Sequence, residues 1–435
     1  MSSLGFVSTA GRVPPVALSD AIIAGLAPDG GLYVPKRLPA IDPGAIDPSA
    51  DLAAAEETML APFFSGDVLA GALSEICGEA FTFEAPLRSL ARTDASLLEL
   101  FHGPTCAFKD FGARFLAACL RRLRGPSDPP LTILVATSGD TGAAVGAAFC
   151  GLPGLRVVIL YPDGRVTPRQ AHQLGSFAGN VQTLRVAGSF DDCQRMVKSA
   201  LNDPALAARV PLTSANSISL GRLLPQTAYY AHAAVTVRRE RGVPLDLIIP
   251  TGNLGNALAA VWARAMGLPI GRIALACNAN AALPTFFAGG DYRPRRSIST
   301  LASAMDVGAP SNFARLRWVC ADDAALREAM RAVSVDDEAI RSTIARHARD
   351  EELILCPHTA TAMHLLDREP VDEHRHRAVV ATAHPAKFEQ IIEPLIGEPI
   401  PLPASLAAML ERPSCVESMA ADSSAFSDWL TAHAI

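Results

Sequence analysis

The residue best suited to covalent chemistry is Lys109, in the stretch Leu100-Phe101-His102-Gly103-Pro104-Thr105-Cys106-Ala107-Phe108-Lys109-Asp110-Phe111-Gly112-Ala113-Arg114-Phe115. Of 38 basic residues only Lys36, Lys109, Lys198 and Lys387 are lysine; the rest are arginine. An amine can lose its proton when desolvated and form a Schiff base, which a guanidinium cannot do. Gly103-Pro104 stiffens the approach. From Asp110 onward Phe111, Phe115 and Cys119 recur with Leu116, Leu120 and Leu123 at helical spacing. Lys109 is therefore expected near a helix N-terminus among apolar neighbours, where burial and the helix dipole both lower an amine's pKa. A boundary lysine with a solvated head fits the same pattern.

Three glycine-bearing units follow this lysine in the chain. The β-branched run 131–137 enters Ser138-Gly139-Asp140-Thr141-Gly142 and then an alanine-rich helical stretch. Backbone N–H groups at such a junction converge on an anion, and Ser138 and Thr141 add hydroxyl donors; an ordinary strand-to-helix turn has the same outline. A second strand, 155–161, is followed by the turn Pro162-Asp163-Gly164 and a polar helical segment over 167–176. In the third unit, strand 246–250 leads through Thr251-Gly252-Asn253-Leu254-Gly255-Asn256 into the helical stretch 257–264. Its two close glycines admit a phosphate to the backbone at a helix start. The loop does not end in the Lys-Ser/Thr pair of a nucleotide P-loop, and a GxGxxG fingerprint is missing.

Strands alternating with helices imply parallel sheets, whose binding edge lies at the strand C-termini. Two further stretches reach for that edge. Ser214-Ala215-Asn216-Ser217-Ile218-Ser219 is dense in small donors ahead of a helical pattern through Leu223, Leu224, Thr227, Ala228 and Ala231. Surface solubility would also explain that density. The strand 378–383 ends in His384-Pro385-Ala386-Lys387-Phe388.

A chain of 435 residues has room for two or three domains, and 49% hydrophobic with 19% charged residues describes a well-folded protein. Asp, Arg, Gly and Pro interrupt every apolar stretch before spanning length, so no membrane partner is expected. Met1-Ser2-Ser3-Leu4-Gly5 shows no export signal, which makes the cytoplasm the expected location. Nine cysteines without a CxxC pair read as reduced thiols rather than a disulfide or zinc framework. A net charge of -6 without a basic stripe gives no footprint for nucleic acid. His358 and His364 share no helix face well, so both read as structural and no metal is expected.

One Schiff-base amine, a phosphate-type loop and a carboxylate-type loop together point to pyridoxal 5'-phosphate. That cofactor needs an amine for its aldehyde, a cradle for its phosphate and a partner for its ring nitrogen, while an amino-acid substrate needs its carboxylate held.

The same stretches carry a family resemblance. GLAPDGGLYVP from Gly25, LFHGPTCAFKDFGARF from Leu100, ATSGDTGAAV from Ala136, SANSISLGRLLPQ from Ser214, PTGNLGN from Pro250, MDVGAPSNF from Met305 and TAHPAKF from Thr382 cover nearly the whole chain in order. The sequence resembles the threonine synthases, of the larger subgroup shared by many bacteria and fungi. The resemblance implies the tryptophan-synthase-β-like pyridoxal phosphate fold, fold type II. It also implies a lyase of threonine biosynthesis that converts O-phospho-L-homoserine and water to L-threonine and phosphate. By that pattern Lys109 carries the cofactor and afterwards moves protons between Cα, Cβ and the cofactor carbon. Gly252, Asn253, Leu254, Gly255 and Asn256 hold the cofactor phosphate, Thr382 meets the ring nitrogen and Asp140 lies near the phenolic oxygen. Ser138, Gly139 and Thr141 take the substrate carboxylate. Ala10, Cys106 and Cys356 depart from the family's usual residues, which bears on affinity and packing more than on the reaction.

The substrate phosphate needs a local cation. Lys387 is the expected one, since it follows a buried strand at the binding edge, with Ser214, Asn216 and Ser217 beside it and Arg114 as the next choice. A lysine capping the sheet edge is the plainer reading. Phe108 is expected in the core rather than against the cofactor ring. The expected architecture is α/β, with two parallel or mixed sheet domains carrying helices on both faces and an α-rich N-terminal domain. Residues 1–92 form the N-terminal domain, 93–130 with 231–435 the large domain, and 131–230 a smaller mobile one. The chain is expected to work as a monomer or homodimer. A serine or threonine dehydratase on this fold would share Lys109 but release ammonia and a keto acid. A silent binding paralogue would have lost Lys109 or the phosphate loop, and both are intact.

Overall fold

The computed structural model describes residues 4–320 and 322–433. Met1, Ser2 and Ser3, read above for an export signal, lie outside them. Among the described residues the strands are β1 (Phe6–Ser8), β2 (Tyr33–Pro35), β3 (Leu87–Ser89), β4 (Ala95–Glu99), β5 (Leu131–Ala136), β6 (Leu155–Pro162), β7 (Val181–Ala187), β8 (Leu212–Ser214), β9 (Leu245–Pro250), β10 (Ile270–Cys277), β11 (Met330–Ser334), β12 (His376–Ala381) and β13 (Glu417–Ala420). An antiparallel β1–β2 ribbon sits in an N-terminal unit otherwise built from helices such as Leu18–Ala24, Leu52–Phe64 and Leu73–Ala80.

The larger sheet runs β11-β10-β9-β12-β4-β3 and is parallel except for β3. The smaller, β13-β7-β6-β5-β8, is parallel throughout. β5, β9 and β12 are buried along their whole length, which is why they read as unbroken apolar runs: helices cover both faces of such sheets. Phe64 of the N-terminal unit meets Phe115 edge-on, with ring centroids 6.1 Å apart, fastening that unit to the helix Lys109–Leu123.

Two expected boundaries are corrected. β13 lies in the smaller sheet, paired with β7, so the chain's last segment leaves the larger domain to which 231–435 was assigned. Phe426 and Leu430 of the helix Ser423–Ala432 are fully buried with Leu160, Leu184 and Val186. Covering that apolar face contributes about 1.5–3 kcal/mol per side chain of this size, enough to bring the terminus back. Strand β3 pairs with β4, so the larger sheet begins at Leu87 rather than at 93.

Register brings the site together. Ala381 lies opposite Glu99 and Val379 opposite Ile248, so β4, β9 and β12 end at one edge. The segment before Lys109 is then stitched to the exit of β12: Ala107 bridges Ala383, the Phe108 N–H donates to the Thr382 carbonyl at 2.9 Å, and the His384 N–H donates to the Cys106 carbonyl at 3.0 Å.

Candidate active site

Lys109 is the first residue of its 15-residue helix, at the positive end of the dipole. No side chain caps this helix. Instead Asp110 accepts from the Thr105 N–H at 2.8 Å and the Thr105 hydroxyl at 2.6 Å, which closes the turn ahead of it. The Lys109 side chain is 15% exposed, with Nζ 3.5 Å from Oδ2 of Asp140 and 4.6 Å from the centre of the Phe108 ring. Phe108 packs against the main core and also lines the cavity. Burial lowers the pKa of Lys109; Asp140 opposes this, and the charges of Lys387 and Arg222 reinforce it.

Asp140 begins the helix Asp140–Phe149 after β5 and is itself buried. Its Oδ1 lies 2.7 Å from Lys387 Nζ and accepts from Gln170 Nε2 at 3.1 Å. Burial alone would raise its carboxyl, but the ammonium groups of Lys387 and Lys109 outweigh that and hold it well below the usual carboxylate range. In the loop, Thr137 Oγ1 accepts from the N–H groups of Gly139 and Gly142 at 3.0 and 2.9 Å. Gly139 stands at φ 126°, ψ -80°, a conformation open to glycine. Ser138, Asp140 and Thr141 face the cavity.

Across it, the 252–256 loop precedes the helix Gly255–Ala265. Leu254 adopts the left-handed conformation at φ 65°. A Cβ on Gly252 would lie 2.7 Å from the Met305 backbone, so the glycine is what lets that segment roof the loop. The N–H groups of residues 252–257 donate to no other described residue. Asn256 Oδ1 accepts from the hydroxyls of Tyr229 at 2.6 Å and Tyr230 at 2.9 Å, which leaves its buried Nδ2 without a partner. An orphaned donor, a helix N-terminus and a run of free amides form a cradle for an anion, and pyridoxal phosphate fits it. Thr382 also lines the cavity, its carbonyl fixed by Phe108.

Not every expected residue reaches this enclosure. Lys387 is fully buried behind Asp140, donates to the Thr105 carbonyl at 2.8 Å and does not line the cavity. The expectation that it holds the substrate phosphate does not fit this placement: the side chain lies outside the cavity, with Nζ on two protein oxygens. Arg114 is corrected as well, because its guanidinium lies on the far side of its helix, donating from Nε to the Ala80 carbonyl at 2.9 Å. Ser214 is buried with its hydroxyl on the Leu134 carbonyl, whereas Asn216 and Ser217 line the cavity. Asn216 is clamped to the backbone of Ala136.

Sequence reading missed Arg222. This is the arginine that lines the cavity; its Nη1 donates to the Ala215 carbonyl at 2.5 Å while its buried Nε has no partner. Burial pulls its pKa down to about 10. Gly112 makes room for it, since a Cβ there would meet the Arg222 carbonyl at 2.6 Å and Nε at 2.9 Å. The signal lay in the quoted stretch SANSISLGRLLPQ, where one arginine follows the donor cluster. His358, expected to be structural, lines the cavity too; its Nε2 accepts from the Ala304 N–H at 3.1 Å, so the ring is neutral with its proton on Nδ1, and burial pushes its pKa down to about 4. His364 faces Thr343 instead.

Residues 86–385 match the profile of the pyridoxal-phosphate dependent enzymes. Residues 5–81 match the threonine synthase N terminus and 359–429 the threonine synthase C-terminal region. The chain is 38% identical over 400 residues to the threonine synthase of Serratia marcescens, covering 92% of both. Among solved structures it is similar to threonine synthase from Escherichia coli, with TM-score 0.91, 35% identity, and 99% of this chain and all of that one covered. It is also similar to the PLP-bound threonine synthase from Brucella melitensis, with TM-score 0.90, 31% identity and the same coverage.

Proposed function

The chain belongs to the threonine synthase family of pyridoxal phosphate-dependent enzymes, and on that premise we propose that its substrate is O-phospho-L-homoserine, converted with water to L-threonine and phosphate. The observation that carries this reading is one enclosure holding an amine, two anion-facing loops and a single arginine. A substrate with a carboxylate at one end and a phosphate at the other needs all of them.

When bound, the cofactor supplies an electron sink for charge developing at carbon. Lys109 binds it and, with a depressed pKa, accepts and returns protons at the substrate carbons. The 252–256 loop holds the cofactor phosphate on its free amides and Asn256 Nδ2. Thr382, which lines the cavity, would supply a hydroxyl to the ring nitrogen; a hydroxyl there, unlike a carboxylate, would leave the ring largely unprotonated and restrain the sink. Asp140, 3.5 Å from Lys109 Nζ, would serve the phenolic oxygen. Ser138, Gly139 and Thr141 take the substrate carboxylate. Arg222 replaces Lys387 as the cation for the substrate phosphate, because among the described residues it is the arginine that lines the cavity, with Asn216 and Ser217 alongside. Phe190, Met305 and Val307 supply apolar wall that excludes water from the reacting carbons.

No helix among the described residues is long and apolar enough to cross a membrane. The nine cysteines are free, which suits the cytoplasm, and we place the enzyme there as a monomer or homodimer.

The test is phosphate release with phosphohomoserine, with threonine identified chromatographically. Arg222→Ala should lose about ten- to more than a hundredfold in kcat/KM, the cost of one charge-assisted contact, while retaining cofactor absorbance. A wild-type chain that leaves phosphohomoserine untouched and makes a keto acid from serine would show the dehydratase reading to be the right one.

A further inference from the structure

The buried group left over is Lys387. Its side chain is 1% exposed, it lies outside the cavity, and the chain has only three other lysines. Its position is held from several directions. The Thr167 hydroxyl, which caps the helix Pro168–Gly175, donates to the Lys387 carbonyl at 2.8 Å, and the Lys387 N–H donates to His384. Its Nζ has two oxygen partners: the Thr105 carbonyl at 2.8 Å and Asp140 Oδ1 at 2.7 Å.

Asp140 thus lies between two amines, with Oδ1 on Lys387 at 2.7 Å and Oδ2 toward Lys109 at 3.5 Å. One carboxylate cannot neutralise two buried ammonium groups. The charged and titratable groups facing Lys109 are Asp140, Lys387, Arg222 and His358 from neighbouring elements and Asp110 on its own helix, already bonded to Thr105. The balance among these favours one proton fewer. The shorter contact, with the Thr105 carbonyl as a second oxygen, ties Asp140 to Lys387; Lys109 is left with the longer contact as its one attraction, against burial and the charges of Lys387 and Arg222, so it is the amine that gives up a proton.

We propose that Lys387 is a positioning residue that engages Asp140 from behind and so leaves Lys109 as a free amine before the cofactor is attached. An ammonium has no lone pair for an aldehyde. The free amine's nitrogen bonds the cofactor's carbonyl carbon, and its two hydrogens leave with the oxygen as water, so atoms and charge balance. Removing Lys387 would give Asp140 wholly to Lys109 and fix the proton on it. The inference rests on Lys109 being the cofactor amine and is independent of the substrate assigned above.

The experiment is competitive acetylation of the full chain, stripped of cofactor, across a pH series, with each lysine quantified by peptide mass spectrometry. Exposed Lys36 and Lys198 are internal references. In the wild type Lys109 should become reactive at lower pH than either reference. Lys387→Met should move that midpoint up by about one pH unit or more, roughly tenfold less free amine at a given pH. Asp140→Asn should move it down, because the repulsion from Lys387 and Arg222 remains while the attraction is gone. A merely structural Lys387 would alter reactivity without displacing the midpoint. An unchanged midpoint in folded Lys387→Met overturns the proposal. Should that variant not fold, a midpoint that stays or rises in Asp140→Asn overturns it instead. Absence of phosphohomoserine turnover would leave this titration unaffected, so the two readings fail separately.

Discussion

The loop after β5 and the loop after β9 both leave a parallel strand, turn on a residue with positive φ and start a helix, yet they present different chemistry to the cavity. In the first, the amides of Gly139 and Gly142 are already bonded to Thr137, and what remains is interrupted by the hydroxyls of Ser138 and Thr141. In the second, the amides of residues 252–257 are an unbroken run of unsatisfied donors, backed by the Asn256 amide that two tyrosines orient. A continuous cradle suits a group held throughout many turnovers. A half-committed one suits a ligand that arrives and leaves. The distinction follows from what each loop leans on: its own strand in the first case, and the Met305 segment in the second.

Gly252→Ala should have the largest effect. The new Cβ meets backbone at 2.7 Å, not a movable side-chain tip, and displacing it costs on the order of 1–3 kcal/mol. Cofactor affinity, measured by absorbance during dilution, should fall about ten- to a hundredfold. Gly255→Ala should bind nearly as wild type, since a Cβ there has 3.4 Å to Ser217. Equal losses in both variants would break the comparison.

Gly139→Ala should act more weakly and on a different quantity. It strains a backbone at φ 126° and crowds Gln170, whose amide sits 2.6 Å from the new Cβ but ends a flexible side chain. The Michaelis constant for phosphohomoserine should rise about tenfold with cofactor occupancy intact. Loss of cofactor from this variant would mean that the two anion sites are interchanged.

The smallest effect is a matter of pH. Asp306 anchors the roof of the second loop, accepting from the Thr300 hydroxyl at 2.7 Å and Asn278 Nδ2 at 2.8 Å. Burial pushes its carboxyl up to about 7 against those bonds. A raised folded value means that the native state keeps a proton which the unfolded chain releases above 3.8, so this contribution is complete below 3.8 and falls away as pH rises to 7. Asp140, held low, works the other way: its contribution is present above 3.8 and is lost on acidification. Asp306→Asn should flatten the decline between pH 4 and 7, by at most about 1.4 kcal/mol per pH unit, in denaturant titrations at several pH values. An unaltered slope would remove Asp306 from the account.

Much of this was legible from residue order. The strands, the two loops and the helix that Lys109 begins all follow from local runs and spacing, and for such features neighbours in sequence are neighbours in space. Lys387 was misread because its partners, Thr105 and Asp140, are more than two hundred positions away, and nothing near it says that they hold it outside the cavity. Arg222 was passed over because one arginine looks like any other in a chain with so many, until burial and an unpartnered Nε single it out. The placement of β13 was hidden for a similar reason, since a short exposed strand gains its meaning from the apolar face of a sheet built far upstream.

That returning strand has a consequence for how the protein is born. β5 to β8 leave the ribosome long before β13 and the helix Ser423–Ala432, so through most of translation Leu160, Leu184 and Val186 lack their cover. The half of the molecule that contributes the 138–141 loop is therefore finished only once residues 417–432 have been made, and a chain that stops short of them carries every assigned catalytic group on an incomplete sheet.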